Sequence, residues 1–317
     1  MVRLAFTTDP ATFLADTADW LSADPVVNTV VATNAEREAR ERRAGVPAPD
    51  DRPYWWLTVR NEAGAVVGAA MRTASFAPYP LFVLTMPDDA TVALARALHA
   101  RGEEVGGVNG ARPTADEVAE EYARLADRNV EVVEHTRLFA LGDLVAPLRA
   151  PAGSLRAATR DDVDLTVRWL RAFGADAAEQ AGRVGRHGGH LSGPVEDHAA
   201  MLARIDRGDV WLWQDDAGRP VHLTGASTPS FGVSRIGPVY TPREHRGRGY
   251  ASSAVAAVAC RLADQGARVC LYADQANAVS TRLYQALGFR RVVDHANLRL
   301  EPAMPRARAV VTRPAPA

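Results

Sequence analysis

The 317-residue chain contains no lysine, so all 37 of its basic residues are arginine. That excludes a Walker-type phosphate loop, whose chemistry needs a lysine. Only two cysteines occur, Cys260 and Cys270. They have no metal-ligand spacing and cannot make a disulfide framework, so both are expected as small core residues in a reducing compartment. Charge of either sign is not in excess: the net charge is −1. No global field therefore favours nucleic acid or a membrane surface. Long apolar runs are missing too, since no stretch approaches the roughly 18 residues that span a bilayer. Asp9 and Asp16 interrupt any leader-like apolar segment at the start. The expectation is a cytoplasmic protein with no metal, nucleic-acid or membrane partner.

What is present is an ordinary globular composition, 47% apolar and 24% charged, over a length that suits two domains of about 150 residues each. Pro147, Pro151 and Gly153 cluster between two patterned segments, which places a break near Leu148 to Ser154. The expected domains are 1–147 and 154–301. The remainder, 302–317, is rich in Pro, Arg and Ala and is expected to be a flexible tail.

The two halves share a grammar. Tyr54-Trp55-Trp56-Leu57-Thr58-Val59, Glu62-Ala63-Gly64 and Val66-Val67-Gly68 read as strand, turn and strand. So do Asp209-Val210-Trp211-Leu212-Trp213, Asp216-Ala217-Gly218 and Pro220-Val221. Each half continues through a third strand to a helix. The segment around Glu121-Tyr122 resembles that around Leu283-Tyr284, and each half then closes on a strand, Val130 to Val133 and Phe289 to Val293. This pattern reads as a diverged duplication.

One element is not duplicated. In the second half a strand over Ile236 to Thr241, with a bulge signal at Gly237-Pro238, leads to the loop Glu244-His245-Arg246-Gly247-Arg248-Gly249. A helix from Tyr250 to Gln265 follows, with Ala251, Ala254, Val255, Val258 and Leu262 on one face. A glycine-rich turn at a helix start is an anion cradle, because its backbone N–H groups are unpaired and the helix dipole adds positive charge. The corresponding first-half segment, Met86-Pro87-Asp88-Asp89-Ala90-Thr91, has two carboxylates and no glycine. It would repel a pyrophosphate. Downstream of the loop come a strand, Val269 to Ala273, and a helix from Ala278 to Leu287 with Asn277 as its N-cap. Gly288-Phe289 ends it.

Taken together, residues 236 to 293 resemble the coenzyme-A-binding core of the GNAT acetyltransferase superfamily. Its loop pattern is Gln/Arg-x-x-Gly-x-Gly/Ala; here the first position is Glu244. The resemblance implies an α/β fold of two GNAT-like domains, each a mixed twisted sheet flanked by helices, with the N-terminal copy degenerate. It implies acetyl-CoA as cosubstrate, no metal, and direct attack by an amine of a small molecule or a protein. Gly247, Gly249, Tyr250 and Ala251 would present amides to the pyrophosphate, with Arg246 or Arg248 adding charge. Val239 and Tyr240 would sit beside a gap between strands that admits the pantetheine arm, where a backbone N–H polarises the thioester carbonyl. Asn277 and Ser280 would hold that arm. Tyr284 would hand a proton to the departing sulfur.

Other points stay open in the sequence. The base could be His222, Glu196, His198, Asp274 or water. His187, His190 and His198 lie in the stretch expected to set acceptor specificity, without a metal-binding pattern. Trp169, Trp211 and Trp213 fit either an acceptor pocket or the core. The missing lysines fit a GC-rich coding sequence better than protection from self-acylation. A non-catalytic acyl-CoA sensor is the alternative function. A dinucleotide oxidoreductase is disfavoured, because Ser252 replaces the third fingerprint glycine and the loop before Gly247 is long.

Overall fold

The computed structural model describes residues 2–182 and 198–303. The first half runs β1 (Arg3–Thr7), α1 (Pro10–Ala23), α2 (Thr29–Arg43), β2 (Trp55–Arg60), β3 (Val66–Arg72), β4 (Leu81–Val83), α3 (Asp88–Ala100), β5 (Gly107–Ala111), α4 (Thr114–Ala126) and β6 (Arg128–Leu141). The second repeats that order with β7 (Ser154–Ala157), α5 (Val163–Gln180), α6 (His198–Asp206), β8 (Val210–Gln214), β9 (Pro220–Ala226), β10 (Val233–Tyr240), α7 (Tyr250–Asp264), β11 (Arg268–Asp274), α8 (Ala278–Ala286) and β12 (Phe289–Pro302). The expected hairpins are β2–β3 and β8–β9, both antiparallel.

In each half a mixed sheet lies between two helix pairs. In the first, Trp55, Leu57, Val59, Leu81 and Val83 face α3 and α4, while Trp56, Ala69 and Met71 face α1 and α2. The period-2 alternation of strand side chains explains the split: consecutive residues of β2 enter opposite cores. In the second, Trp211, Ala226, Ile236 and Leu271 pack on α7 and α8. Leu212 and Leu223 face α5 and α6 with Val167, Met201 and Ile205. Trp211 and Trp213 are buried, so they fill the core.

The two sheets are one. The strand order is β1-β2-β3-β4-β5-β12-β6-β11-β10-β9-β8-β7. The closing strands were expected to finish their own halves as short segments. Instead both are 14 residues long, and each lies in the other half's sheet. β12 pairs with β5, His295 opposite Ala111, and β6 pairs with β11, Tyr272 opposite Leu138. The two then pair with each other from Phe289↔Leu141 to Pro302↔Arg128. Both strands thereby gain a partner on each edge, which leaves no unpaired ladder at the seam. The break near 148–154 falls in the connection between β6 and β7. The greater part of the tail 302–317 lies outside the described residues.

One burial expectation is corrected. Cys270 is buried in β11, but Cys260 is exposed on α7. Val258, Ala259 and Leu262 take the inward stripe of that helix, and at 3.6 residues per turn position 260 falls on its outer flank. Among the described residues no helix is long and apolar enough to cross a membrane.

Candidate active site

The site starts from a defect in the sheet. β10 and β11 run parallel and are paired from Val233↔Arg268 to Ile236↔Leu271. There the pairing stops, although β11 continues to Asp274 and β10 to Tyr240. On its other edge β10 slips register against β9 between Ile236 and Val239, at Gly237-Pro238. Proline has no N–H to give to a ladder, and the irregularity turns the strand away from β11. The result is a wedge-shaped gap. Val239 and Tyr240 stay paired to Thr224 and Leu223 of β9. In an antiparallel ladder consecutive residues direct their N–H and C=O groups to opposite edges. One of these two residues therefore turns its backbone polar groups to the gap.

The gap belongs to a cavity of about 780 Å³. Every residue expected at the site lines it. Val239 and Tyr240 form one side, and Arg246, Gly247, Arg248 and Gly249 the loop end. Tyr250 and Ala251 open α7, and Asn277, Ser280 and Tyr284 come from α8 and its cap. Gly247 and Gly249 have φ of +75° and +86°, a left-handed conformation that side chains disfavour. A Cβ at Gly247 would meet nothing within 4 Å, so the loop is open above its backbone. The N-terminus of the 15-residue α7 follows directly, with Gly249 as a cap that contributes no side chain. Unpaired first-turn amides, a helix dipole and an uncovered backbone fit a diphosphate. The gap fits an extended arm.

The corresponding place in the first half is built differently. Its matching helix α3 is capped by Pro87 and carries Asp88 and Asp89 in the first turn.

The two loop arginines are not equivalent. Arg246 is committed within the protein: its Nη2 donates to Asp176 of α5 at 2.7 Å and its Nε to the Thr241 carbonyl at 3.0 Å. Arg248 is exposed, and among the described residues it reaches only the Glu244 carbonyl, at 3.2 Å. The sequence left either one open as the phosphate partner; the geometry gives Arg248 that freedom and makes Arg246 a brace. Asp176, not singled out in the sequence, is the hub of the brace. It is 9% exposed. It accepts from Tyr240 Oη at 3.0 Å and from Arg243 Nε at 3.0 Å as well. Burial pushes its carboxyl up, but the bonds from Arg243 and Tyr240 and the charge of Arg246 outweigh burial and hold it below the usual carboxylate range. Tyr240 is pushed up to about 12, by burial first and then by this carboxylate.

Asn277 caps α8. Its Oδ1 accepts from the Ser280 amide at 3.0 Å, and its Nδ2 donates to Gln180 Oε1 of α5 at 3.0 Å. Tyr284 packs edge-on to Phe289, with centroids 6.1 Å apart. Its hydroxyl has no hydrogen-bond partner among the described residues, and burial raises its pKa to about 12. The phenol therefore keeps its proton at neutral pH. Tyr122, its first-half counterpart, spends its hydroxyl on the Glu103 carbonyl and the Val105 amide.

The base candidates separate. His222 is fully buried, its ring nitrogens 2.7 Å from Thr241 Oγ1 and Thr224 Oγ1, and burial pushes it down to about 3. It is a core residue. His198 is exposed and pairs with Asp164 at 2.7 Å. Asp274 lines the cavity. Glu196, His187 and His190 lie outside the described residues. Among the described residues no cluster of His, Cys, Asp or Glu could hold a metal ion.

Residues 224–299 match the family model described as FR47-like protein. No curated protein matches the sequence. Solved structures match over nearly the whole chain. A GCN5-related N-acetyltransferase from Sphaerobacter thermophilus is 17% identical, with a TM-score of 0.59 and 96% of each chain covered. A tandem GNAT protein from the clavulanic acid biosynthesis pathway is 15% identical, with a TM-score of 0.55, covering 97% of this chain and all of its own. A GNAT-family acetyltransferase from Colwellia psychrerythraea is 11% identical, with a TM-score of 0.52, and covers 95% of this chain and 99% of that one. The likeness is one of fold: this chain has the fold of the tandem GNAT proteins.

Proposed function

We propose that the protein transfers an acetyl group from acetyl-CoA to a primary amine of its acceptor by direct attack. One observation carries this: the β10–β11 gap, the glycine loop at the start of α7 and Tyr284 all line a single cavity. Acetyl-CoA supplies an activated thioester carbonyl. The amides of Gly247 and Gly249 and the first turn of α7 would hold its diphosphate, with Arg248 adding charge. Val239 or Tyr240 would direct a backbone N–H to the carbonyl oxygen, where charge develops during attack. The amine nitrogen forms a bond to the carbonyl carbon, and the carbon–sulfur bond breaks. Tyr284 gives its proton to the leaving sulfur, and the amine loses one to water or to Asp274.

In this account the domains are 1–147, 154–301 and a tail from 302, the protein works in the cytoplasm, and only the second half binds coenzyme. The supporting contrasts are Asp88 and Asp89 at α3 and the locked hydroxyl of Tyr122. Release of free thiol from acetyl-CoA across a panel of amines tests the proposal. A non-catalytic sensor would bind acetyl-CoA and release none.

A further inference from the structure

The cavity reaches past the coenzyme gap onto the sheet face opposite α7. Directly paired strand residues share a face, as do residues two apart on a strand. Arg235 is opposite Cys270, and Tyr272 is opposite Leu138. Thr136 is opposite His295, and Glu134 opposite Asn297. Arg235, Tyr272, Thr136, His295, Glu134 and Asn297 therefore form one polar tract, and all six line the cavity. Four of them stand on the exchanged strands β6 and β12. Val30 of α2 and Phe82 of β4, both first-half residues, line the same space. The first half is thus a wall of the site.

Polar side chains on a mostly buried sheet face are costly unless they are partnered. Most of this tract is. Asn297 Nδ2 donates to Glu134 Oε2 at 3.1 Å, and Tyr272 Oη lies 3.4 Å from His295 Nε2. His295 is 2% exposed, and burial pushes it down to about 4, so it is neutral and adds no cation. Arg235 is not. Its Nη1 is buried with no hydrogen-bond partner, and it makes no ion pair among the described residues. It precedes Ile236, the last β10 residue paired to β11, so it stands at the apex of the gap. A guanidinium held there without a carboxylate is a fork awaiting a planar anion.

We infer that the acceptor is a small amine bearing a carboxylate, and that Arg235 is the residue that anchors that carboxylate. The inference rests on the transferase function proposed above and names its substrate class. Arg235 binds the carboxylate at the apex. The amine end then lies toward the mouth of the gap, on the side where Glu134 supplies the opposite charge. Because the wall comes from β6, β12 and α2, acceptor choice depends on the first half although it holds no coenzyme.

The test uses the full chain with acetyl-CoA. α-Amino acids and longer ω-amino acids are compared with their methyl esters, which keep the amine and lose the anion. Thiol release gives kcat/KM, and calorimetry of the same compounds with the coenzyme A complex gives affinity. At least one free acid is expected to exceed its ester by about 10- to 100-fold, the worth of a hydrogen bond to a charged group. Arg235→Gln should level the pair while acetyl-CoA affinity holds. Esters equal to acids, or an acid preference that survives in Arg235→Gln, would overturn the anchor. Acid-selective binding lost in Arg235→Gln supports it even without turnover. Failure of the transferase proposal is seen separately, as no thiol release from any amine.

Discussion

Replacing Tyr284 by Phe isolates one atom of the proposed chemistry. The ring belongs to the core of the second half, packed against Phe289 at 6.1 Å between centroids, and phenylalanine keeps that packing. The hydroxyl has no hydrogen-bond partner among the described residues, so its loss should change stability by less than about 1 kcal/mol. The tyrosine holds its proton up to about pH 12 because burial disfavours the phenolate. At neutral pH it can only give a proton, which is needed when sulfur leaves. An interaction made chiefly in the transition state appears in kcat, and one positioned proton donor is typically worth about 10²- to 10⁴-fold. A thiolate is a tolerable leaving group, so about 10²-fold is expected. The assay is single-turnover acetyl transfer from pre-bound acetyl-CoA, which separates chemistry from product release. A Phe variant that matches the parent there, while binding acetyl-CoA equally, would refute the assignment.

Four further outcomes follow from the geometry. Gly249→Glu should abolish acetyl-CoA binding with the fold retained, since it strains a φ of +86° by about 1–2 kcal/mol and puts a like charge on the cradle; Gly249→Ala, measured by calorimetry beside it, should lose only the strain part. Asp176→Asn removes the charge that braces Arg243 and Arg246. Because Arg243 is more than half exposed, the stability loss should be near the lower end of about 1–3 kcal/mol, with acetyl-CoA affinity down about tenfold as the loop loosens; unchanged affinity would show that the brace is irrelevant to the cradle. Calorimetry should give one acetyl-CoA equivalent per chain, and two equivalent sites would contradict the contrast with Asp88 and Asp89. Finally, His222 and His295 stay neutral in the folded protein down to about pH 3 and about pH 4. Their unfolded-state values, near 6.5, are higher, so the unfolded chain binds more protons below that pH and stability falls as pH drops from about 6.5. From pH 7.5 to 5 each should remove about 2 kcal/mol. Thermal melts across that range check it, and replacing His222 should flatten the curve.

The loop and helix starts that line the cavity were legible because their signals are local. A glycine pair before an apolar helix, an Asn cap and a Gly-Pro bulge signal each act within a few residues, and the helices α7 and α8 begin where those signals place them. The exchange of β6 and β12 was not legible, because ladder partners are chosen across the whole chain and Val130 to Val133 carries no mark of which sheet it joins. The polar tract was hidden for the same reason: Arg235, Glu134 and Asn297 are scattered in sequence and meet only through β-register. Asp176 was missed because one acid in an amphipathic helix looks like a solvated residue until Tyr240, Arg243 and Arg246 are seen around it. Cys260 was misplaced by treating a small apolar residue as inward without phasing it against Ala259 and Leu262.

In the proposed reaction the β10–β11 gap and its glycine loop deliver an acetyl group to an amine. Its most direct test is to load the protein with acetyl-CoA labelled in the acetyl group, add a mixture of free amino acids, and follow the label and free thiol together. The expected result is equal amounts of thiol and labelled N-acetyl product, both lost in Gly249→Glu. Tight binding of acetyl-CoA with no label leaving the coenzyme, across acids, esters and simple amines alike, would contradict it.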